Sequence, residues 1–527
     1  MRGPALVLRL VVGGFLIVLV AGACGGSGDD AERTVPTTLE QTIVLQPDGS
    51  FLPGPGEPYV VRTELEAAGA DRAANRRSLV VFQQLADFRL IDEESPLRSE
   101  WLESCPDATT ARAFRPHETL SLQAAAGVLR AANEANRSPV TGRPVDFAIH
   151  TGNAADNAQF NEQRWFIDLM DGRPLTPDTG AVGYDGVQQG TVLDEYPTLI
   201  EDAQAVFVSE GLNYPWYAVT GNRDLLAQGT FVRTAASDRL AVGDQKLMSL
   251  GPLALQAVCG KAAALLEPGL SDVVLGDPET VVAEVQRDQD RRLVGKAGWL
   301  REFFSTTDTP GPPGHGFSLE NRRENTAYYV LESGPVSFIV LDTVNEGGFS
   351  TGSIDKTQFE WLEQQLIDRS SSYFDAEGRP ETSDAEDRLI VIVSHHAPSL
   401  MNNPFPGPDG EERIQGAQLT DLLHRFPNVI LQVAGHSAKN SITARPDPEN
   451  RSRSYWEVTT ASPLDYPMQG RMLEIVDNGD GTLSIFTTMF DSAAPLKPGD
   501  AEDPTPGDGV NELLLASLAR QIAGRDP

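Results

Sequence analysis

Leu389-Ile390-Val391-Ile392-Val393-Ser394-His395-His396-Ala397-Pro398 is a β-branched apolar run that stops abruptly at two histidines and a proline. A run of that length and branching, too short for a helix, reads as a strand buried on both faces. Its loop then delivers the histidines. The same grammar recurs along the chain. Leu79 to Leu85 leads into Ala86-Asp87-Phe88-Arg89, and Val145 to Ile149 into Thr151-Gly152-Asn153-Ala154-Ala155-Asp156-Asn157. Trp216 to Val219 leads into Gly221-Asn222-Arg223-Asp224, and Val429 to Val433 into Gly435-His436-Ser437-Ala438-Lys439-Asn440. A sixth run, Val336 to Leu341, ends at Asp342-Thr343, which reads as structural.

Segments of helical period lie between several of these runs. In Asp355 to Asp368, Phe359, Leu362 and Leu366 share one face, and Asp355 with Gln358 three residues later makes an N-terminal cap. Strands alternating with helices predict an α/β protein with its sheet buried on both faces. In such sheets ligand groups gather in the loops beyond the carboxyl ends of the strands.

Composition sets limits on partners. The 527 residues carry 75 acidic and 42 basic side chains, a formal charge of −33. That balance excludes a general basic surface for nucleic acid and disfavours nonspecific adsorption to anionic lipid. With 40% hydrophobic and 22% charged residues the chain can bury a sizeable core.

Residues 1–23 read as an export signal peptide: Arg2 and Arg9 flank the apolar stretch Leu10 to Val20, and Ala21-Gly22-Ala23-Cys24 closes it. The arrangement resembles a bacterial lipoprotein signal, which implies lipidation at Cys24 and an extracytoplasmic, membrane-anchored protein. Ala21-x-Ala23 equally suits simple secretion. Residues 24–77 read as a lipidated or flexible linker with little structure and one edge strand at Thr42 to Leu45. Residues 78–492 form the main domain, interrupted by a mostly helical insertion at 234–302, and 493–527 a Pro/Asp-rich linker followed by an amphipathic helix. Cys105 and Cys259 are permitted to pair in an oxidising compartment, and equally to remain two separate buried thiols.

Taken in order, the five loops resemble the blocks of the calcineurin-like metallophosphoesterase family: Asp-x-His, Gly-Asp, Gly-Asn-His-Asp, a His near a Pro, and Gly-His-x-His. Gln358, Trp361 and Leu362 add the family's Gln-x-x-Trp-Leu helix start. The resemblance implies a β-sandwich core flanked by helices, with two divalent metals over one edge and phosphoester hydrolysis by a metal-bound hydroxide. Block by block, Asp87 matches the first ligand, but Arg89 stands at the paired His and Asn153 at the Asp that bridges both metals. Asn222 matches the Asn ligand, Arg223 replaces the His that assists the leaving group, and Asp224 matches. His395 or His396 supplies the next ligand, with His395 preferred, and His436 matches the first His of the last block, whereas Ala438 replaces its second.

These losses fall on one metal position, which keeps only Asp87. The other keeps Asn153, Asn222, His395 and His436, all neutral and therefore weak donors for a hard cation. The expected cofactor is one divalent ion, manganese, zinc, iron or nickel, or none. Arg89 and Arg223 offer guanidinium groups that grip phosphate, so a phosphate-containing small molecule or another anion is the expected partner. The bland alternative is that each arginine neutralises Asp87 or Asp224. The expectation is an exported family member with a degraded site, a pseudoenzyme or anion binder; the alternative is a single-metal phosphoesterase in which Arg223 and Asp224 act catalytically.

Other residues carry lesser expectations. Asp156, Asn157, Gln159 and Glu162 sit at a helix start, and Arg115-Pro116-His117-Glu118 reads as a surface capping cluster ahead of the helical run Leu120 to Ala132, with reach to the pocket rim as the alternative. His150 is expected to be buried and hydrogen-bonded, His315 to lie in a loop and His424 on a helix surface. Asn402 to Glu412 is a Pro/Gly-rich loop placed to form part of the pocket rim.

Overall fold

Strand alternation assigns each face of the sheets. In the computed structural model, Val336, Phe338 and Val340 of Val336–Val340 join one core, whereas Ile339 and the following Leu341 join another. The structure describes residues 37–69, 72–105, 113–188, 193, 195–259, 276–306, 309–408, 410–501 and 511–525. The signal peptide and Cys24 lie outside these. Among the described residues no helix is long and apolar enough to cross a membrane.

The chain is mixed α/β. One six-stranded sheet runs Tyr329–Ser333, Val336–Val340, Leu389–Ser394, Val429–Ala434, Tyr455–Thr459, Ser441–Arg445, with antiparallel pairs at its edges and parallel pairs inside. A five-stranded sheet runs Leu483–Asp491, Gln469–Asp477, Arg77–Leu85, Phe147–His150, Trp216–Ala218, its last three strands parallel. The two sheets face each other: the Phe338 ring meets Phe82 and Phe147 edge-on, each at 5.1 Å between centroids. Register carries the apolar face across the six-stranded sheet, with Phe338 beside Val391 and Val433 between Val393 and Val458.

Helices cover both outer faces. Ser121–Glu134, Phe160–Asp171 and Glu512–Arg525 pack on the five-stranded side through Leu129, Phe166, Met170 and Leu518. Lys356–Ile367 and Gly416–Leu423 pack on the other through Leu362, Leu366, Leu419 and Leu423, each buried leucine contributing about 2 kcal/mol by area. The Asp355 carboxylate accepts the Gln358 amide at 2.7 Å, the expected cap. Each of the six apolar runs forms a strand.

The structure extends several expectations. The edge strand expected at Thr42 to Leu45 is Gln41–Leu45, but the linker around it is more ordered than expected: the strand pairs with Phe51–Pro55 in a hairpin, and buried Phe51 stacks on Tyr466. Its many prolines suit a strand pair that is open to water on one side. Among the described residues of the 234–302 segment, the short helices Ala235–Ala241, Pro252–Val258 and Lys296–Glu302 alternate with a strand pair, Gln245–Ser249 antiparallel to Val281–Glu284. Cys105 and Cys259 form a disulfide with Cα atoms 5.4 Å apart, tying this segment to the turn Glu100–Ser104.

His150 is buried, but neither ring nitrogen has a hydrogen-bond partner; Phe88 and Phe166 enclose it at 4.7 Å each. His315 lies in a loop, as expected, but not on the surface. It is buried, stacked on Trp216 at 3.5 Å, and donates from Nδ1 to the Trp216 carbonyl.

Candidate functional site

Parallel strands aim their carboxyl ends at one edge of each sheet, so their loops converge. Asp87 and Arg89 follow Arg77–Leu85, Asn153 follows Phe147–His150, Asn222 and Arg223 follow Trp216–Ala218, His395 and His396 follow Leu389–Ser394, and His436 follows Val429–Ala434. The crowding leaves no room for side chains at two points. A Cβ on Gly152 would stand 2.8 Å from His395 Nδ1, and one on Gly221 2.3 Å from the Asn153 amide nitrogen.

Backbone strain is concentrated in the same loops. Asp87, Arg89, Asn153 and His436 adopt φ values of 51°, 45°, 53° and 62°, the left-handed region that few non-glycine residues visit. Each costs on the order of 1 kcal/mol and persists because the loops fix it.

Three donor atoms meet at the centre. His395 Nε2 lies 2.9 Å from Asn222 Oδ1, and His436 Nδ1 lies 3.2 Å from both. Their partners assign the hydrogens. His395 donates from Nδ1 to the Thr151 carbonyl at 2.8 Å, leaving a lone pair on Nε2, and Asn222 Nδ2 donates to the Gly229 carbonyl at 2.7 Å, which turns its oxygen inward. Burial, then His396 and His436, holds His395 well below the usual imidazole range, and burial with His396, Arg89 and Arg223 does the same to His436. Between neutral His395 and Asn222 no proton is available, so two lone pairs face each other.

A small cation relieves that opposition. Ligands about 2.1 Å from one ion stand roughly 3.0 to 3.4 Å apart in octahedral or tetrahedral geometry. The three observed edges match that range within a few tenths of an ångström. His395, His436 and Asn222 thus fit one ion, which when bound would act as a Lewis acid on an oxygen of whatever binds beside it. One ring nitrogen from each of His395, His396 and His436 lies within 4.8 Å of the other two. His396, however, is satisfied without an ion: Thr343 Oγ1 bonds its Nδ1 at 2.8 Å and Nε2 donates to the Ser350 carbonyl at 3.0 Å.

The residues do not fit a second ion. Asn153 donates from Nδ2 to Asp87 Oδ1 at 2.9 Å, and its oxygen accepts the Arg223 amide at 2.8 Å. Asp87 Oδ2 accepts the His436 amide at 2.8 Å. Burial raises Asp87, opposed by Arg89 and by these two donors. An N–H therefore occupies the place where a shared carboxylate would bridge two cations.

The arginines divide. Arg89 Nε stands 3.6 Å from Asp87 Oδ1 and has no closer partner. Arg223 bonds not Asp224 but Asp156, which also bonds Arg98; Arg98 in turn bonds Glu118, and Arg115 spans Glu118 at 3.1 Å and Asp465 at 3.3 Å. Burial alone would raise Asp156, yet Arg223, Arg98, Arg89 and Arg115 outweigh it and hold the carboxyl at about 2. Asp224 bridges two loops, accepting the Gly221 amide of its own turn at 2.7 Å and the Ala155 amide of the Asn153 loop at 2.9 Å, and burial pushes it up to about 8. Beside Ala438 opens a cleft of about 240 Å³ lined also by Arg115, His117 and Asp465.

Sequence reading found the donor residues and missed this hub. Asp156 and Glu118 looked like helix-terminus charges, and Arg98 sits in a run, Asp92 to Glu100, whose charge suggests solvation. Glu162 likewise caps amides, those of Asp156 and Asn157, from a fully buried position. The one available signal was the spacing of Arg98 a few residues after the first loop.

No family model matches the chain, and no curated protein does. Among solved structures, a dimetal phosphatase from Danio rerio aligns over 79% of this chain and 100% of its own, at 11% identity and a TM-score of 0.31. GAP50, the anchor in the inner membrane complex of Plasmodium, aligns over 79% of this chain and 90% of its own, at 11% identity and a TM-score of 0.27. At these scores neither likeness carries an argument about this chain.

Proposed function

We propose that this chain is an exported protein of the calcineurin-like metallophosphoesterase class that has kept one cation position, lost the other, and binds a phosphate-type anion without efficient hydrolysis. The two facing sheets with helices outside, and the five loops gathered along one edge, support the fold class. The observation that carries the functional reading is Asn153, whose amide N–H points at Asp87. Without an anionic bridge, a pair of ions has no common ligand, and the hydroxide such a pair generates is lost with it. Arg89, whose Nε has no hydrogen-bond partner, is the group that remains to grip an anion beside the three-donor pocket.

The Cys105–Cys259 bond supports export into an oxidising compartment, as the signal-like residues 1–23 suggest. Attachment to the membrane through a lipid on Cys24 is part of the same proposal.

A second reading, slow phosphoester hydrolysis with one ion, is favoured by the convergence of His395, His436 and Asn222. One experiment separates them: metal content of chelator-free protein, turnover of nitrophenyl phosphates with manganese, zinc, iron and nickel, and calorimetry with inorganic phosphate. The anion reading expects phosphate binding that is lost in Arg89→Ala and no turnover above the metal blank. Robust turnover abolished by His436→Ala would establish the second reading instead.

A further inference from the structure

Among the described residues, Phe349 and Phe405 are the only exposed phenylalanines, at 46% and 50% of their surface. A lone exposed phenyl needs no explanation. These two stack on each other, with centroids 4.7 Å apart and planes 21° from parallel.

A rigid frame holds them out. Buried Asn403 donates to the Gly348 carbonyl at 2.7 Å and to the Thr351 carbonyl at 3.1 Å, while buried Asn345 donates to the Phe405 carbonyl at 2.8 Å. The Phe349 amide donates to the Thr230 carbonyl at 2.7 Å, and Phe349 itself sits at φ 69°, a strained conformation for an aromatic residue. Strain and buried amides spent on exposing two apolar rings point to a ligand for them.

Their place says which ligand. Ser350, next to Phe349, accepts the His396 ring, and Thr230 follows Gly229, which accepts the Asn222 side chain. The shelf thus lies between the segment that fixes Asn222 and the loop that fixes His396, beside the donor cluster.

We propose that Phe349 and Phe405 hold the esterified group of the bound phosphate compound, and that this group is a flat aromatic ring. The proposal rests on the anion-site reading above. A ring laid on a phenyl face buries one whole side, whereas an alkyl chain on an open shelf keeps most of its surface in water.

The test is calorimetry on the full chain with inorganic, methyl, hexyl and phenyl phosphate. Phenyl phosphate binds about tenfold tighter than methyl phosphate, hexyl phosphate gains less than about threefold, and Phe405→Ser and Phe349→Ser reduce the phenyl advantage below about twofold with inorganic phosphate affinity unchanged. Phe405→Tyr keeps the advantage. Equal binding of phenyl and methyl phosphate, an equal gain for hexyl, or an advantage that survives both serine variants overturns the shelf. If inorganic phosphate itself fails to bind, the anion reading falls separately. Saturation-transfer NMR with adenosine then decides the shelf: magnetisation transfer to the adenine protons that disappears in Phe405→Ser supports it, and transfer that is absent, or unchanged in that variant, refutes it.

Discussion

Acid should destabilise this protein in part through a single histidine remote from any surface. His150 is 1% exposed, neither nitrogen is hydrogen-bonded, and Phe88 and Phe166 close over the ring. Burial alone lowers its pKa from 6.5 to about 3. The unfolded chain therefore binds a proton that the fold refuses, so stability is complete above pH 6.5 and falls as pH drops toward 3. At pH 5 the loss is about 1.5 pH units at about 1.36 kcal/mol each, or about 2 kcal/mol. His150→Leu, close in volume, cannot titrate. Urea unfolding of both proteins at about pH 7.5 and about pH 5 isolates the effect, because every other titrating group cancels in the difference. The variant's stability relative to wild type should rise by about 2 kcal/mol on acidification. A difference equal at the two pH values would mean that the ring is hydrated or hydrogen-bonded in the fold, and the assignment would be wrong.

Two further outcomes follow from packing. Arg98→Met leaves Asp156 and Glu118 buried without their shared guanidinium, and should cost about 3–5 kcal/mol in denaturant unfolding; a loss under about 1 kcal/mol would show that the network is solvated. Asp355→Ala removes the cap on Lys356–Ile367 and should cost about 1 kcal/mol, whereas Asp355→Asn should cost a few tenths. Equal losses for the two would remove the cap as the cause.

Local periodicity made the sheets readable. All six strands were visible as short, largely apolar runs, even where buried polar residues such as Gln83, Gln84, Ser337 and Gln432 interrupt them, and the loop chemistry began where each run stopped. The Asp355 cap was legible for a similar reason, since donor and acceptor lie three residues apart. The strands Tyr329–Ser333, Ser441–Arg445 and Tyr455–Thr459, at or next to the sheet edges, escaped notice because they mix polar and apolar residues. Long-range pairings were beyond reach: the partner of Arg223 proved to be Asp156, not Asp224, because the Asp224 carboxylate is taken by the Gly221 amide of its own turn and the Ala155 amide of the neighbouring loop. The loop position of His315 was legible, but its burial was not, because the loop packs onto Trp216 from 99 residues away.

Metal stoichiometry tests the central claim most directly. Crystals grown with excess manganese and, separately, zinc, with anomalous diffraction at each absorption edge, locate every bound ion. The account predicts no more than one per chain, held by His395, His436 and Asn222. Two ions side by side, with Asp87 and Asn153 among their ligands, would contradict it.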